Sequence, residues 1–389
     1  MKNSFNYEQT TKIIFGRGKL EEVGRVAASF GKVALLVTGP EHSKLAPQYS
    51  RVKKYLEAVG LKVLHYDGVV PNPTTESVDK GTELARSKGV DIVIGMGGGS
   101  SMDTAKAIAV SAVNPGCAWD YLFFKTPQPK TTLPCIAITT TAGTGSQVTQ
   151  VAVMTETRTC TKSALYNNVI YPKIAIIDPE LMITIPKHTT ASTGFDAFCH
   201  CFESYIHSSS SPYTDIVAIE GIKMIAKYLR EAVINGENID AREGMAWADT
   251  CGGLAIANAG VTLPHGIGMT ISGHCPNIMH GEALALTYPS VMRFTMSAAI
   301  EKFAAVGRIF NSELEKLSDV EAAKGCCYEI DKLLKDIGMW ISFKDYNVDL
   351  QTVRKIADRS HDLPDYKANP VIATIDDIYK QLVDGYERR

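Results

Sequence analysis

The chain has 389 residues, with 40 Lys and Arg against 42 Asp and Glu for a net charge of −2, so it offers neither a broad basic surface for a phosphate backbone nor an acidic tail for basic partners. Nucleic acid is set aside as a partner, and no run of about 18 uninterrupted apolar residues or signal-like N-terminus points to a membrane or an export route. The nine cysteines are scattered without a disulfide framework, which leads to the expectation of a soluble, cytoplasmic protein with reduced thiols.

A chain of this size calls for two domains. KVALLVTG (32–39) is a continuous apolar run of the kind a strand buried on both faces requires. A helix through SRVKKYLEAVG and a second strand, LKVLHYDGV (61–69), complete a strand–helix–strand unit. Next come a helix at 77–89, a strand running into glycines at 90–99 (VDIVIGMGGG) and a helix at 102–112. Further strands follow at 133–141 (LPCIAITTT) and 173–179 (KIAIIDP). Such alternation predicts a mostly parallel sheet with helices on both faces. After ITIPKHTT (183–190) helical periodicity takes over, at 214–233, 243–260 and 322–338. The expected fold is an α/β N-terminal domain with a mostly parallel sheet, 1–186, plus an all-α C-terminal domain, 187–389. No flexible linker separates them near Pro186, which suggests a cleft between packed domains.

The glycines of MGGGSSMDTAKA sit between a strand and a helix, where backbone N–H groups and the helix dipole favour an anion. The G-x-G-x-x-G fingerprint is incomplete, since its last glycine falls on Ser100. A tight turn that binds nothing is the plain alternative. A second loop, TTTAGTGSQVT (139–149), gathers hydroxyls and glycines at another strand end, and two such loops favour a dinucleotide over a lone phosphate.

FDAFCHCFESYIH (195–207) places Asp196 and His200 one helical turn apart on a shared face. The later segment TLPHGIGMTISGHCPNIMHG supplies His265, His274 and His280. Imidazoles with one carboxylate suit Fe²⁺ or Zn²⁺ with a coordination position left open. The plainer alternatives are a helix-capping aspartate and packed core histidines. Cys199 and Cys201 point to different sides of a helix and cannot share one cation, and Glu203 fits a supporting or solvated carboxylate better than a ligand.

Taken in order, IIFGRGKLEEVG, PNPTTESVDKG, MGGGSSMDTAKA, TTTAGTGSQVT, IIDPELMITIP, TGFDAFCHCFESY, the His-Gly segments and NPVIATIDDIYKQL resemble the iron-containing (group III) alcohol dehydrogenase family over nearly the whole chain. The resemblance implies the dehydroquinate synthase-like fold of that family, with a dinucleotide-binding N-terminal domain. It also implies a homodimer or higher oligomer, and hydride transfer between a small primary alcohol or aldehyde and NAD(P). Family ligand positions fall on Asp196, His200, His265 and His280. Nucleotide-lining positions fall on Gly39, Asn72, Gly97, Gly98, Gly99, Ser100, Asp103, Thr140, Thr141, Thr144, Thr149 and Lys162. Where many members have an acidic residue after the first strand, this chain has Gly39, with Ser43 and Lys44 nearby; NADP(H) is therefore favoured over NAD(H). A family histidine one turn after the third ligand is Met269 here, which leaves His274, the nicotinamide ribose or water to handle the proton. Gln147 stands where Glu is usual. Two other readings stay open: a zinc-dependent polyol dehydrogenase acting on glycerol or propanediol, and a catalytically silent nucleotide-binding regulator.

Overall fold

A computed structural model describes residues 4–125 and 127–388. The strands are β1 (Lys12–Phe15), β2 (Val33–Val37), β3 (Lys62–Tyr66), β4 (Ile92–Gly97), β5 (Cys135–Thr139), β6 (Val151–Glu156), β7 (Thr161–Tyr166) and β8 (Ile174–Ile177). Interleaved with them are α1 (Val23–Ala27), α2 (Ala46–Ala58), α3 (Thr75–Lys88) and α4 (Gly99–Val113). Among the described residues there then follow the helices α5 (Lys187–Ile206), α6 (Pro212–Ile234), α7 (Ile239–Asn258), α8 (Leu263–His274), α9 (His280–Thr295), α10 (Ile300–Phe310), α11 (Asp319–Asp336), α12 (Leu350–Arg359) and α13 (Ile375–Glu387). No single helix among the described residues is long and apolar enough to cross a membrane.

The chain divides into two compact units, one spanning Glu8–Ile185 and the other comprising the residues from Pro186 onward with the N-terminal segment up to Tyr7. The N-terminal segment joins the helical unit because Tyr7 packs edge-on against Tyr213, ring centroids 4.5 Å apart. Sequence pattern gave no sign of this tie.

In the α/β unit six strands form a wholly parallel sheet in the order β1-β8-β5-β4-β2-β3. Its strands read as unbroken apolar runs because both faces are covered, and successive side chains alternate between two cores. Leu35, Val37 and Val93 go to one core with α3 and α4; Ala34, Leu36, Ile92, Ile94 and Met96 go to the other with α1 and α2. The antiparallel pair β6–β7 stands outside this sheet. Neither it nor the edge strand β1 was among the strands expected from the sequence. β1 is only four residues long, too short to show a period, and the hairpin's apolar residues, VAVM in β6 and AL in β7, are separated by the polar stretch TETRTCTKS, which resembles a loop in composition.

In the helical unit α5 is buried along most of its length. Its 20 residues carry two different faces. Phe195, Phe198 and Phe202 stack along one of them, 5.8 and 5.5 Å between successive centroids, and meet Tyr288 of α9 edge-on. Asp196, His200 and Glu203, at i, i+4 and i+7, make up the other.

Candidate nucleotide loop and metal centre

In the α/β unit the chain leaves β2 for β3 on one side and returns to β4 on the other. The winding direction therefore reverses between β2 and β4, and a ligand belongs in the crevice at the carboxyl ends of those two strands. Gly39 follows β2 there, Gly97 ends β4, and Gly98 and Gly99 lead from it into α4. α4 starts at Gly99 with Gly98 as its N-cap and no side chain closing that end, which leaves the positive end of the helix for an anion. The glycines leave room for the neighbouring loop to pack close. A Cβ on Gly99 would lie 2.8 Å from Thr144 Cγ2, and one on Gly98 3.2 Å from Thr141 Oγ1. Thr140 N–H donates to Gly97 O (2.9 Å), and Ser100 O accepts from Thr104 Oγ1 (2.8 Å). The two loops picked out from the sequence thus lie against each other.

Behind them is a largely buried polar brace. Asp103 accepts from Ser146 Oγ (2.6 Å) and from Val153 N–H (3.0 Å). Lys106 Nζ donates to Ser146 Oγ, Thr149 Oγ1 and Val151 O at 2.9, 3.3 and 2.7 Å. Burial pulls the Lys106 pKa down to about 8, with Asp103 opposing; burial likewise pushes the Asp103 carboxyl up, against the pull of Lys106. Asp103 and Thr149, expected to line the nucleotide, turn these polar atoms to the protein and hold the 139–149 loop onto α4. Lys162 on β7 donates to Asn72 Oδ1 (2.9 Å), and Thr155 N–H donates to Pro73 O (2.7 Å). The unforeseen hairpin is therefore what carries Lys162 to Asn72, which itself adopts φ of 50°.

In the helical unit the imidazole nitrogens Nε2 of His200, His265 and His280 lie 3.8, 3.6 and 3.9 Å from one oxygen, Asp196 Oδ1. Four ligand atoms held 2.0–2.1 Å from one cation in a tetrahedral array would stand about 3.3 Å apart. The three distances to Asp196 Oδ1 exceed that by a few tenths of an ångström. Ligand atoms of Asp196, His265 and His280 all fall within 4.8 Å of one another. Asp196 Oδ1 and His265 Nε2 are buried with no hydrogen-bond donor or acceptor among the described residues, an arrangement that costs free energy unless a ligand engages them. The residues present fit a divalent cation.

Each ligand is placed by packing. α7 comes close to α5 because it presents Gly252, whose Cβ would be 3.2 Å from His200 Cβ. α9 starts with His280, and its neighbour Gly281 leaves no room for a side chain: a Cβ there would be 2.0 Å from Ser192 O of α5. Glu203 stands behind His265, accepting from its Nδ1 (2.8 Å) and from Thr262 N–H (2.8 Å) and Oγ1 (3.3 Å). A proton on Nδ1 leaves the Nε2 lone pair facing the cage.

The electrostatics point the same way. Burial pushes the Asp196 carboxyl up, but His200, His280 and His265 outweigh it and hold the group well below the usual carboxylate range. Burial pulls His265 down, yet Glu203 and Asp196 hold its pKa up at about 10. Two buried carboxylates thus draw positive charge into the cage, whether as protons or as a cation.

His274 lies elsewhere. It is nine residues beyond His265 along α8, an axial distance of about 13 Å at ~1.5 Å per residue, and its Nδ1 pairs with Thr270 O (3.0 Å). The structure therefore does not bring it to the cluster, and a proton-handling role for it is dropped.

The model of the iron-containing alcohol dehydrogenases matches residues 10–179, and that of the Fe-containing alcohol dehydrogenase family C-terminal domain matches 190–385. The NAD-dependent methanol dehydrogenase of Bacillus methanolicus is 35% identical, the match covering 94% of this chain and 95% of its own length. The 1,3-propanediol dehydrogenase of Citrobacter freundii is 36% identical over 88% and 89%. Among solved structures, an archaeal halo-thermophilic alcohol dehydrogenase from a Red Sea brine pool superposes with a TM-score of 0.94 at 33% identity, covering 99% of this chain and 100% of that one.

Proposed function

The chain belongs to the iron-containing alcohol dehydrogenase family, and on that footing we propose that it reversibly oxidises a primary alcohol to the aldehyde, with Asp196, His200, His265 and His280 holding the cation. The observation that carries the ligand assignment is the convergence of three imidazole nitrogens on Asp196 Oδ1. When bound, the cation supplies Lewis-acid polarisation of the substrate oxygen. Asp196 provides the negative charge and the imidazoles neutral donors. Glu203 keeps His265 in one tautomer and one orientation. Fe²⁺ is favoured by family, and Zn²⁺ suits the same donor set.

For the nicotinamide nucleotide, the glycine turn before α4 takes the diphosphate, and Lys162 and Asn72 face the rest of the cofactor. Gly39 leaves the end of β2 without a carboxylate, and a Cβ there would meet only the Tyr49 hydroxyl at 3.9 Å. The missing carboxylate at Gly39 itself supports the use of NADP(H), whereas Glu41 and Asp67 lie close by and the methanol dehydrogenase relative is NAD-dependent by name. Comparing kcat/KM for the two nucleotides decides the matter, a strong NAD(H) preference being the adverse result.

Replacing His280 with Ala tests the site as a whole. It is expected to abolish alcohol oxidation and lower metal content, with the far-ultraviolet circular dichroism retained. An active, metal-replete His280→Ala enzyme would refute the ligand assignment.

A further inference from the structure

We infer that Asp365 sets substrate choice: its carboxylate receives the far end of an alcohol carrying a second hydrogen-bond donor, a hydroxyl or a primary ammonium group, and turns away substrates with an anionic tail. The inference rests on the alcohol dehydrogenase reading above and adds to it the substrate class. Asp365 belongs to the short turn Pro364–Ala368, which lies against the start of α8. A Cβ built on Gly266 would stand 3.5 Å from Asp365 Cβ and 3.7 Å from its Oδ2, and Gly266 directly follows the ligand His265. The carboxylate is close enough to feel both His265 and Glu203.

Every other acid around the cluster is provided for. Glu203 receives Thr262 and His265, Asp196 faces three imidazoles, and Glu282 accepts from Met279 N–H (2.8 Å) and meets His188 Nε2 (2.8 Å). Asp365 has no such side-chain donor among the described residues; its own backbone and the charge of His265 are the features that favour its ionised form. Asp365 is only partly shielded from water, and a substrate donor would take the place of that water and pair the carboxylate. A carboxylate is negatively charged at the slightly alkaline pH of an alcohol-oxidation assay. A polar group of this kind discriminates strongly, because a substrate lacking the donor leaves the carboxylate unpaired.

The test uses the metal-loaded enzyme at pH 8 and four three-carbon substrates: 1-propanol, 1,3-propanediol, 3-amino-1-propanol and 3-hydroxypropanoate. Asp365→Asn is expected to lower the kcat/KM ratio of 1,3-propanediol to 1-propanol at least 10-fold, and that of 3-amino-1-propanol further, mainly through KM. The relative rate with 3-hydroxypropanoate should rise. Dissociation constants of the same alcohols in the dead-end complex with reduced nucleotide, read from cofactor fluorescence, should shift in parallel, with bound metal unaltered. Asp365→Glu keeps the charge on a longer arm. It should retain the preference for donors and move it toward two-carbon substrates, which keeps the inference testable if the Asn variant folds poorly. A loss uniform over all four substrates and accompanied by metal loss would make Asp365 a support for His265 and overturn the inference. Unaltered ratios and dissociation constants would overturn it too. A wild-type enzyme active on none of these alcohols would instead count against the parent reading, and the fluorescence constants would still judge Asp365.

Discussion

Gly281→Ala should cost the enzyme its metal even though position 281 is helical and touches no ligand atom. An alanine normally improves a helix by up to about 1 kcal/mol over glycine, and Gly281 has no left-handed φ to protect. Judged from local structure alone, the substitution ought to stabilise. The added Cβ, however, would stand 2.0 Å from Ser192 O, 2.7 Å from Ser192 C and 2.8 Å from Ser192 Oγ. The ordinary closest approach of carbon to a carbonyl oxygen is about 3.3 Å, so the start of α9 must withdraw from α5 by about 1.3 Å. The obstacle is backbone and cannot rotate aside. Overpacking of this sort falls at the upper end of its usual range, about 2–3 kcal/mol, or a loss of roughly 5–10 °C in Tm for a unit of about 200 residues. His280 is the preceding residue and moves with the helix, whereas metal–ligand distances tolerate only about 0.2 Å. The assays are metal content by mass spectrometry after anaerobic loading and differential scanning fluorimetry with and without Fe²⁺ or Zn²⁺. Full metal occupancy with an unchanged or raised Tm would refute the packing argument.

Glu203→Gln removes a charge and leaves one side of the new amide donating where both carboxylate oxygens now accept. Metal affinity should fall about 10- to 100-fold in a competition titration, and an unchanged affinity would show that His265 is oriented by something else. Gly39→Asp, placed where a Cβ meets only the Tyr49 hydroxyl at 3.9 Å, should lower kcat/KM with NADP(H) relative to NAD(H) at least 10-fold at constant Tm; equal effects on both nucleotides would mean that the adenosine ribose lies elsewhere. Lys106, with its folded pKa lowered to about 8 from 10.5, is neutral in the folded protein and charged in the unfolded one between those values. The unfolded state then binds the extra proton, so this residue makes stability rise as pH climbs from 8 to 10.5. Urea denaturation of metal-free protein across that window should show wild type gaining stability relative to Lys106→Met as pH climbs, on top of the fall that the buried thiols, with their raised pKa values, impose on both proteins.

The division of labour between sheet and helices was legible because it rests on period. Strands buried on both faces read as apolar runs at 32–39 and 90–99, and the helices at 214–233 and 243–260 read as long stretches with apolar residues at helical spacing. Two chemically specific loops were legible for a related reason, since glycine triplets and stacked hydroxyls have few other uses at strand ends. What escaped was whatever depends on pairs distant in sequence. The β6–β7 hairpin owes its placement to a contact with the Pro73 segment, and Asp365 lies near His265 only because a short turn folds back over α8. His274 was misplaced for the converse reason. Closeness in sequence to two ligand histidines suggested closeness in space, but a continuous helix carried it away.

The mixed composition of FDAFCHCFESYIH follows from one helix serving two neighbours at once. A buried helix lined only with leucine would pack, but it could not hold Asp196, since an unpartnered carboxylate in that interior would be driven to its neutral form. Three imidazoles reverse that tendency, and they arrive on three separate helices, α5, α8 and α9. The charge at the centre is thus stable only when the helices are assembled. Conversely the helices come close enough only where glycine at 252 and 281 lets them. On the opposite side of α5 the stacked Phe195, Phe198 and Phe202 fix its rotation against Tyr288. That rotation is what aims Asp196 and His200 inward, because a turn of the helix by one residue, about 100°, would swing both faces away from their partners. Aromatic packing and ligand geometry are therefore one constraint, and enlarging any of the glycines or shrinking any of the phenylalanines should appear first as lost metal and only afterwards as lost fold.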